Sequence, residues 1–294
     1  MTTEAPVKKT WQPNPDGQVV SVGTARNCLL YPPNLDTLVT VLPQCKGRND
    51  REKEAAARAY VESVLESVRN AKNAVKILAC TQKSFVSAVK QAAQYGFELD
   101  GILGHAYLVP YGNVCKMMPG YKGYNKLLLQ SPEISAIDAH VVYKVDEFDY
   151  ALGGEPFVKH RPEACEDSEM TEDQITHAYF VVWLKCGIKK VNVWPARKLW
   201  KRRDKYSKGY KSNSDSINMW RDHPDIAAIK TVIRDSCARG MLPVSTDIVS
   251  LASHDEYMEA DEAAKERAGE RQQSTSMVNS LDELTAALKA DGED

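Results

Sequence analysis

The residues best suited to chemistry in this 294-residue chain are cations that lie among aromatic side chains. Residues 101–132 contain no Asp or Glu, and their only full charges are Lys116, Lys122 and Lys126. Four tyrosines are interleaved with these lysines, and one of them, Tyr121, stands where a helix is predicted to start. Cations and rings around a helix N-terminus suit a phosphate backbone with stackable bases. The alternative is an apolar hairpin whose tyrosines simply pack.

A second basic block covers residues 189–211, where ten Lys or Arg residues face a single acid, Asp204. The positive charges of this short stretch, +9 net, repel one another unless an anion binds there. We therefore expect the stretch to contact nucleic acid. The contacts expected in this block are Lys198, Lys201, Arg202, Arg203, Lys205, Lys208 and Lys211. Residues 247–294 have the opposite character, with thirteen acidic and four basic residues. We expect this acidic tail to bind a partner or to compete with DNA.

The sequence contains no recognisable catalytic motif. It has no G-x-x-x-x-G-K-[ST] loop, no G-x-G-x-x-G turn, no G-x-S-x-G elbow and no H-E-x-x-H pair. Asp146, Glu147 and Asp149 could in principle bind Mg²⁺, as the carboxylates of a nuclease do, or could form an exposed polar turn. We therefore expect a protein that is not an enzyme, and keep an Mg²⁺-dependent DNA nuclease as the alternative.

Cysteine usage and hydropathy point to the cytoplasm. The seven cysteines are widely spaced and form no C-x-x-C pair, which argues against a disulfide framework and favours a reducing compartment. The longest apolar runs are too short to span a bilayer, and the N-terminal ten residues lack an apolar signal region. No membrane association is expected.

Composition predicts three regions. Residues 1–48 are interrupted by six prolines and are predicted to be an N-terminal arm, partly disordered. Residues 49–246 are predicted to form the folded core. Residues 247–294 are predicted to be a flexible acidic tail with a possible short helix at 281–290, which follows the capping box that begins at Ser280.

Hydrophobic periodicity within the core predicts both helices and strands. The predicted helices are 50–75, 81–95, 121–129, 196–206 and 224–239. The predicted strands are 104–110, 114–118, 134–144, 157–161, 175–186 and 189–194. In the last helix Ile226, Ile229 and Ile233 are predicted to point inward.

Several stretches, taken in order, resemble a known family. They are FVSAVKQAAQYGFELDG (85–101), GHAYLVPYGN (104–113), PGYKGYNKLL (119–128), HVVYKVDEFDYALG with HRP (140–162) and KTVIRDSCARGMLPVS (230–245). Together they resemble the RecT family of phage and prophage single-strand annealing proteins. GHAYLVPYGN followed by GYKGY is the specific part of this signal, and the final helix would be weak alone.

The resemblance implies an α+β fold similar to the Rad52 and Red-beta annealing core, with a small antiparallel sheet, a long helix and flanking helices. It implies assembly into an oligomeric ring or helical filament, and annealing of complementary single strands in the cytoplasm of a bacterial host. It implies no nucleotide cofactor, although Mg²⁺ could modulate DNA binding. The partners implied are single-stranded DNA, the annealed duplex, a 5′→3′ exonuclease and the host single-stranded DNA-binding protein.

Carried onto this sequence, the resemblance places DNA contacts in the hairpin, at the GYKGY helix start and in the last helix. These contacts are Lys116, Tyr121, Lys122, Lys126, Lys230 and Arg234. A third function class remains open, namely a DNA-coating accessory protein that binds strands without annealing them.

Overall fold

The computed structural model describes residues 12–163, 171–207, 210 and 218–255. The chain divides into two compact units where the sequence predicted a single core for residues 49–246. The first unit contains the residues up to Ser135 together with Pro243–Ile248. The second contains Ala136–Leu242 and the chain from Val249 onward.

The first unit is mainly helical, with one hairpin. Its elements are α1 (Val22–Leu30), α2 (Pro32–Val41), α3 (Asp50–Asn70), α4 (Ala74–Leu78), α5 (Gln82–Gln94), β1 (Ala106–Tyr111), β2 (Val114–Pro119) and α6 (Tyr121–Leu129). Asn49 begins α3 with a capping box, because its side chain accepts from the Glu52 N–H and the Glu52 side chain accepts from the Asn49 N–H. The apolar stripe of α3 is buried as the sequence predicts.

Residues 12–48 contain folded helices, so the prediction of an arm is wrong for this range. Leu29 and Leu38 are fully buried in α1 and α2, and both helices pack against α3 and α5. The Lys90 ammonium of α5 donates to the Asn34 and Thr37 side chains of α2 at 2.9 and 3.2 Å. These contacts make the N-terminal helices part of the first unit's core.

The β1–β2 hairpin has one buried and one solvent-facing side. Its strands pair antiparallel, with Tyr107 opposite Met118 and Val109 opposite Lys116. The alternate residues of β2 are buried, and β2 packs along α5. The Cys115 N–H donates to the Ser84 hydroxyl of α5 at 3.0 Å, which fixes the hairpin's register against the helix. The other face of the hairpin is therefore presented to solvent.

The second unit is built on a three-stranded sheet. Its elements are β3 (Ile134–Tyr143, whose first two residues belong to the first unit), β4 (Glu147–Ala151), β5 (Phe157–Arg161), β6 (Ile175–Leu184), β7 (Lys189–Pro195), α7 (Ala196–Tyr206), α8 (Met219–Asp222) and α9 (Pro224–Ala238). The sheet order is β3-β6-β7, and β4 pairs with β5 in a separate antiparallel hairpin. The α+β class is confirmed.

The β4–β5 hairpin covers one face of this sheet. Phe148, Tyr150 and Val158 pack on a buried cluster that includes Tyr179 and Val193. Helices α7 and α9 pack on β6 and β7, and α9 lies against the opposite face. β4 has no counterpart among the predicted strands.

Two features at the end of the core differ from the predictions. In α9, Ile233 is buried as predicted, but Ile226 and Ile229 are only half-buried, and small or polar residues such as Ala228 and Thr231 occupy the buried side. Residues 246–255 are helical, so the predicted flexible tail does not begin at residue 247.

Candidate nucleic-acid interface

The first candidate surface is the solvent face of the β1–β2 hairpin with the start of α6, which we call the hairpin patch. Lys116 lies in the middle of this face, half-buried, with its Nζ 5.2 Å from the centre of the Tyr111 ring. Tyr107 is 46% exposed on the same face. Lys122 is exposed and Tyr121 is half-buried in the first turn of α6. This arrangement combines cations with accessible ring faces, as binding of single strands requires.

Two glycines bring α6 close to the chain that enters β1. A Cβ at Gly120 would lie 2.2 Å from the Gly104 carbonyl oxygen, and a Cβ at Gly123 would lie 2.2 Å from the His105 carbonyl oxygen. The Gly120 N–H also donates to the His105 carbonyl at 2.9 Å. The glycines of GYKGY therefore serve backbone packing. The Tyr107 hydroxyl and Lys122 Cδ both lie near Gly104, 3.0 and 3.4 Å from the position that a Cβ would take there.

Two other residues of this segment are engaged inside the protein. Lys126 donates from its Nζ to the Gly96 carbonyl at 2.6 Å, so it satisfies a carbonyl just beyond the C-terminus of α5. Tyr124 is fully buried and presents no ring face to a base. In this conformation the predicted Lys126 contact is replaced by a helix-capping role.

The second candidate surface is the exposed face of α7, which we call the α7 patch. Its members are Arg197, Lys198, Lys201 and Lys205, all exposed. At about 100° per residue these four positions fall within a single arc of about 100° on the helix. Leu199 is fully buried on the other side of α7 and anchors it. Arg197 was not in the predicted set, although a helical wheel of α7 would have placed it beside Lys201.

Arg203 belongs to the interior of the second unit. Its side chain is 11% exposed and is ion-paired with Glu172 and with Asp204, the latter at 2.9 Å. Its guanidinium also lies 4.0 Å from the centre of the Tyr210 ring. Arg202 is half-buried, 4.9 Å from the Tyr206 ring. Arg203 is therefore engaged in structural ion pairs in this conformation, and its contact with phosphate stays a prediction.

Lys198 is the most constrained cation of the α7 patch. Its Nζ lies 3.5 Å from the centre of the Trp194 ring, and Trp194 is buried. The Asp235 carboxylate accepts from the Trp194 indole at 3.2 Å. Burial lowers the pKa of Lys198, while the nearby Asp235 carboxylate acts in the opposite direction. Trp194 is thus a core residue that positions Lys198 through a cation–π contact.

The cations predicted in the last helix are also paired. Arg234 is 3% exposed, and its Nη1 lies 3.4 Å from the Asp255 carboxylate. Lys230 lies 3.3 Å from the same carboxylate. Neither cation is positioned to meet a phosphate in this conformation. Lys208 and Lys211 lie outside the described residues, so both stay predictions.

Asp146, the centre of the alternative metal site, is a structural acceptor. Its side chain is 4% exposed and accepts from the backbone N–H groups of Tyr143 and Glu163 at 2.7 and 3.1 Å. Its carboxylate also lies 3.1 Å from His160 Nε2. Burial raises the pKa of Asp146, but these hydrogen bonds and the His160 ring together lower it below its usual value. The nuclease alternative thereby loses its central carboxylate.

Among the described residues, no group of three His, Cys, Asp or Glu side chains could hold a metal ion. None of the described helices is both long enough and apolar enough to cross a membrane.

Comparison with known proteins identifies the family. The model of the RecT family matches residues 59–269, which is more than half of the chain. The chain belongs to the RecT family. The family resemblance of the sequence motifs is thereby confirmed.

Two curated relatives give the degree of similarity. Protein RecT of Escherichia coli (strain K12) is 32% identical over 185 residues, which cover 60% of this chain and 64% of that protein. The uncharacterized protein YqaK of Bacillus subtilis (strain 168) is 28% identical over 155 residues, 51% of this chain and 49% of that protein. The matches therefore span about half to two-thirds of these relatives.

Proposed function

We propose that this protein binds single-stranded DNA and anneals complementary strands in recombination, without hydrolysing a nucleotide. The observation that carries the proposal is the α7 patch, where four exposed cations share one face of a helix in a member of the RecT family. Such a row of cations suits a phosphate backbone and makes no sequence-specific demand on the bases.

The α7 patch supplies the electrostatic part of the affinity in this proposal. Arg197, Lys201 and Lys205 neutralise phosphates, and release of the condensed counterions drives binding. Each phosphate neutralised changes the logarithm of the binding constant by about −0.7 per logarithmic unit of salt for a single strand. Binding is therefore expected to be independent of sequence and strongly dependent on salt.

The hairpin patch supplies contacts of a different kind. Lys116 and Lys122 hold phosphates, and the uncapped first turn of α6 offers backbone N–H groups to one of them. Tyr107 and Tyr121 present ring faces to a sugar or base. A strand held through its backbone keeps its Watson–Crick edges free, so a second strand can test its pairing, and base pairing supplies the fidelity.

We further propose that the protein works as a ring or helical filament with the Rad52-like architecture that the family resemblance implies. A continuous groove over several copies would align a strand longer than one copy can hold. The partners that we propose are a 5′→3′ exonuclease and the host single-stranded DNA-binding protein. Electron micrographs of the protein with and without complementary strands would test the assembly.

One experiment separates the three function classes. Purified protein is mixed with complementary labelled oligonucleotides without nucleotide, with Mg²⁺ or with EDTA, and both pairing and strand length are followed. Annealing predicts that intact strands pair faster with the protein than without it. Mg²⁺ should leave the strand length unchanged, whatever its effect on the rate of pairing. Strands that are bound by the protein but pair no faster than without it would indicate a coating protein. Strands shortened only with Mg²⁺ would indicate a nuclease, and either of these two results would overturn the proposal.

A further inference from the structure

The Asp255 carboxylate is buried between two cations of α9. The side chain of Asp255 is 0% exposed, and those of Lys230 and Arg234 are 19% and 4% exposed. Both cations lie within 3.4 Å of the same Oδ2 atom. Lys230 and Arg234 are one helical turn apart, so they form a two-cation edge on α9 that currently faces an internal anion.

The chain segment that carries this anion is short. Residues 249–255 continue the helical stretch that begins at residue 246, and they belong to the second unit, as α9 does. Leu251, Ala252 and Asp255 are its buried residues, while Ser253 is exposed. A segment with so few buried side chains at the edge of a folded unit belongs to the parts of a protein that open at low free-energy cost.

The sequence beyond Asp255 adds to the anionic character. Residues 256–294 carry eleven acidic and four basic residues, a net charge of −7. This charge is covalently tethered to Asp255, and it repels a nucleic acid that comes within a Debye length of it, about 10 Å at 0.1 M salt.

We propose that residues 249–255 are an internal competitor of single-stranded DNA, whose Asp255 carboxylate occupies the Lys230–Arg234 edge until a phosphate backbone displaces it. This inference rests on the proposed function, because it describes regulation of the same DNA binding. Carboxylate and phosphate oxygens both accept charge-assisted hydrogen bonds from Lys and Arg, so one anion can replace the other. Displacement exposes two further cations, and the protein then binds DNA more tightly than its resting surface allows.

Hydrogen exchange on the unmodified full-length protein tests the displacement directly. The amides of residues 249–255 are expected to exchange faster when the protein is saturated with a single-stranded oligonucleotide, because the segment leaves α9. Unchanged or slower exchange on a protein that binds the same oligonucleotide would overturn the inference. A protein that fails to bind the oligonucleotide at all would instead contradict the proposed function, so the two failures are distinguishable.

Charge substitution gives an independent test. Asp255→Asn removes the internal anion, so single-strand affinity should rise on the order of tenfold at 0.1 M salt, and the salt slope should steepen by about 1.4. Asp247→Asn is the matched control, since it removes the same charge from an exposed position of the same helical stretch. A folded Asp255→Asn protein with unchanged affinity and slope, or an equal effect of Asp247→Asn, would overturn the inference.

A double-mutant cycle checks that the effect passes through α9. Lys230→Gln alone is expected to change DNA affinity little, because Lys230 is already paired with Asp255. In the Asp255→Asn background the same substitution should remove about half of the gain in slope, about 0.7. Equal effects of Lys230→Gln in both backgrounds would show that the two residues act independently and would contradict the displacement.

Discussion

The cationic side chains of this protein differ in the partners that their nitrogen atoms already have. Arg203 and Arg234 are held by carboxylates in the second unit, and Lys126 donates to a backbone carbonyl. Lys201 is exposed on α7. A cation in a buried ion pair must leave that pair and reach the surface before it neutralises a phosphate, so cations that are already exposed should dominate counterion release.

This difference predicts the effect of removing the exposed cations. The triple variant Arg197→Ala, Lys201→Ala, Lys205→Ala should flatten the salt slope of single-strand binding by about 2, and should weaken binding on the order of a hundredfold at 0.1 M salt. All three side chains are exposed, so the fold should persist. Fluorescence anisotropy of a labelled oligonucleotide at several salt concentrations measures both quantities.

A matched control removes the same charge elsewhere. Arg51, Arg58 and Arg69 are exposed on α3, and their triple alanine variant has the same net charge as the α7 variant. The α3 variant should keep nearly the whole slope of the unmodified protein. Equal losses in the two variants would show that net charge alone matters and would remove the α7 patch from the DNA path.

Asp146 predicts a pH dependence of stability. Burial raises the pKa of its carboxyl, but the Tyr143 and Glu163 N–H groups and His160 lower it to a net value below normal. The stabilisation is therefore complete at pH values above the unfolded pKa, about 3.9, and is lost as pH falls through the lower folded pKa. Asp146→Asn should lower the unfolding free energy by about 1–3 kcal/mol at pH 7.

Urea unfolding between pH 7 and pH 2 measures this effect. The difference between the unmodified protein and Asp146→Asn should shrink below about pH 4, because the unfolded carboxyl takes up a proton there while the native carboxylate stays ionised until its own lower pKa is reached. Asp149→Asn is the control, since Asp149 is exposed on β4 and should leave the profile nearly unchanged. A difference that stays constant across the whole pH range would contradict the role given to the Asp146 charge.

At the scale of elements, the position of α6 depends on the absence of two side chains. Gly120 and Gly123 allow the helix to approach the backbone at Gly104 and His105 within van der Waals contact. Lys122 and Tyr121 are carried by the same helical turn, so the hairpin patch exists only while this approach is preserved.

Gly123→Ala should therefore destabilise the protein. Its Cβ would meet the His105 carbonyl at 2.2 Å, and the overlap should cost about 1–3 kcal/mol in spite of the better helix propensity of alanine. Gly154→Ala is the control, because nothing lies within 4 Å of its new Cβ and its φ is not positive. Thermal unfolding that ranks the two variants equally would contradict the close packing of α6.

Elements with a strong local signal were predictable from the sequence. The predicted strands 104–110 and 114–118 correspond to β1 and β2, and the helix predicted from residue 50 begins at that residue as α3. The α6, α7 and α9 boundaries also agree within a residue or two with the structure. In each case the chain's own period and turn residues fix the element before tertiary contacts act.

Other elements were missed because tertiary context outweighed the local pattern. The prolines of residues 1–48 predict interruptions of regular structure, yet Pro32 occupies the first position of α2, where its ring costs no hydrogen bond. The acidic residues Glu147 and Asp149 favoured the prediction of a polar turn at β4, although they alternate with Phe148 and Tyr150 as in a strand. In α9 the buried hydroxyl of Thr231 donates to the Ala227 carbonyl, so a polar residue fills a core position.

The sites were less predictable than the fold. A basic block in the sequence does not reveal which nitrogens already have acidic partners, and Glu172 and Asp255 lie 31 and 21 residues from the arginines they pair with. A helical wheel of α7 separates the exposed from the inward positions, and would have included Arg197. Tyr107 lies between Ala106 and Leu108 in β1, and the alternation of a strand would have placed it on the solvent-facing side.

At the scale of the whole molecule, each of the two compact units carries one candidate DNA surface. The hairpin patch belongs to the first unit and the α7 patch to the second. An annealing protein must hold a strand and leave its bases readable, and two cationic surfaces that act on the phosphate backbone satisfy both requirements. An annealing protein must both bind the strand and speed its pairing. A protein that only binds the strand is a coating protein.

The rate of strand pairing tests this claim most directly. Complementary labelled oligonucleotides are mixed in stopped flow at fixed salt without nucleotide, alone and with the unmodified protein, the α7 triple variant or the α3 triple variant. The account predicts faster pairing with the unmodified protein and with the α3 variant, and little acceleration with the α7 variant. Pairing no faster with the unmodified protein than without protein would contradict it.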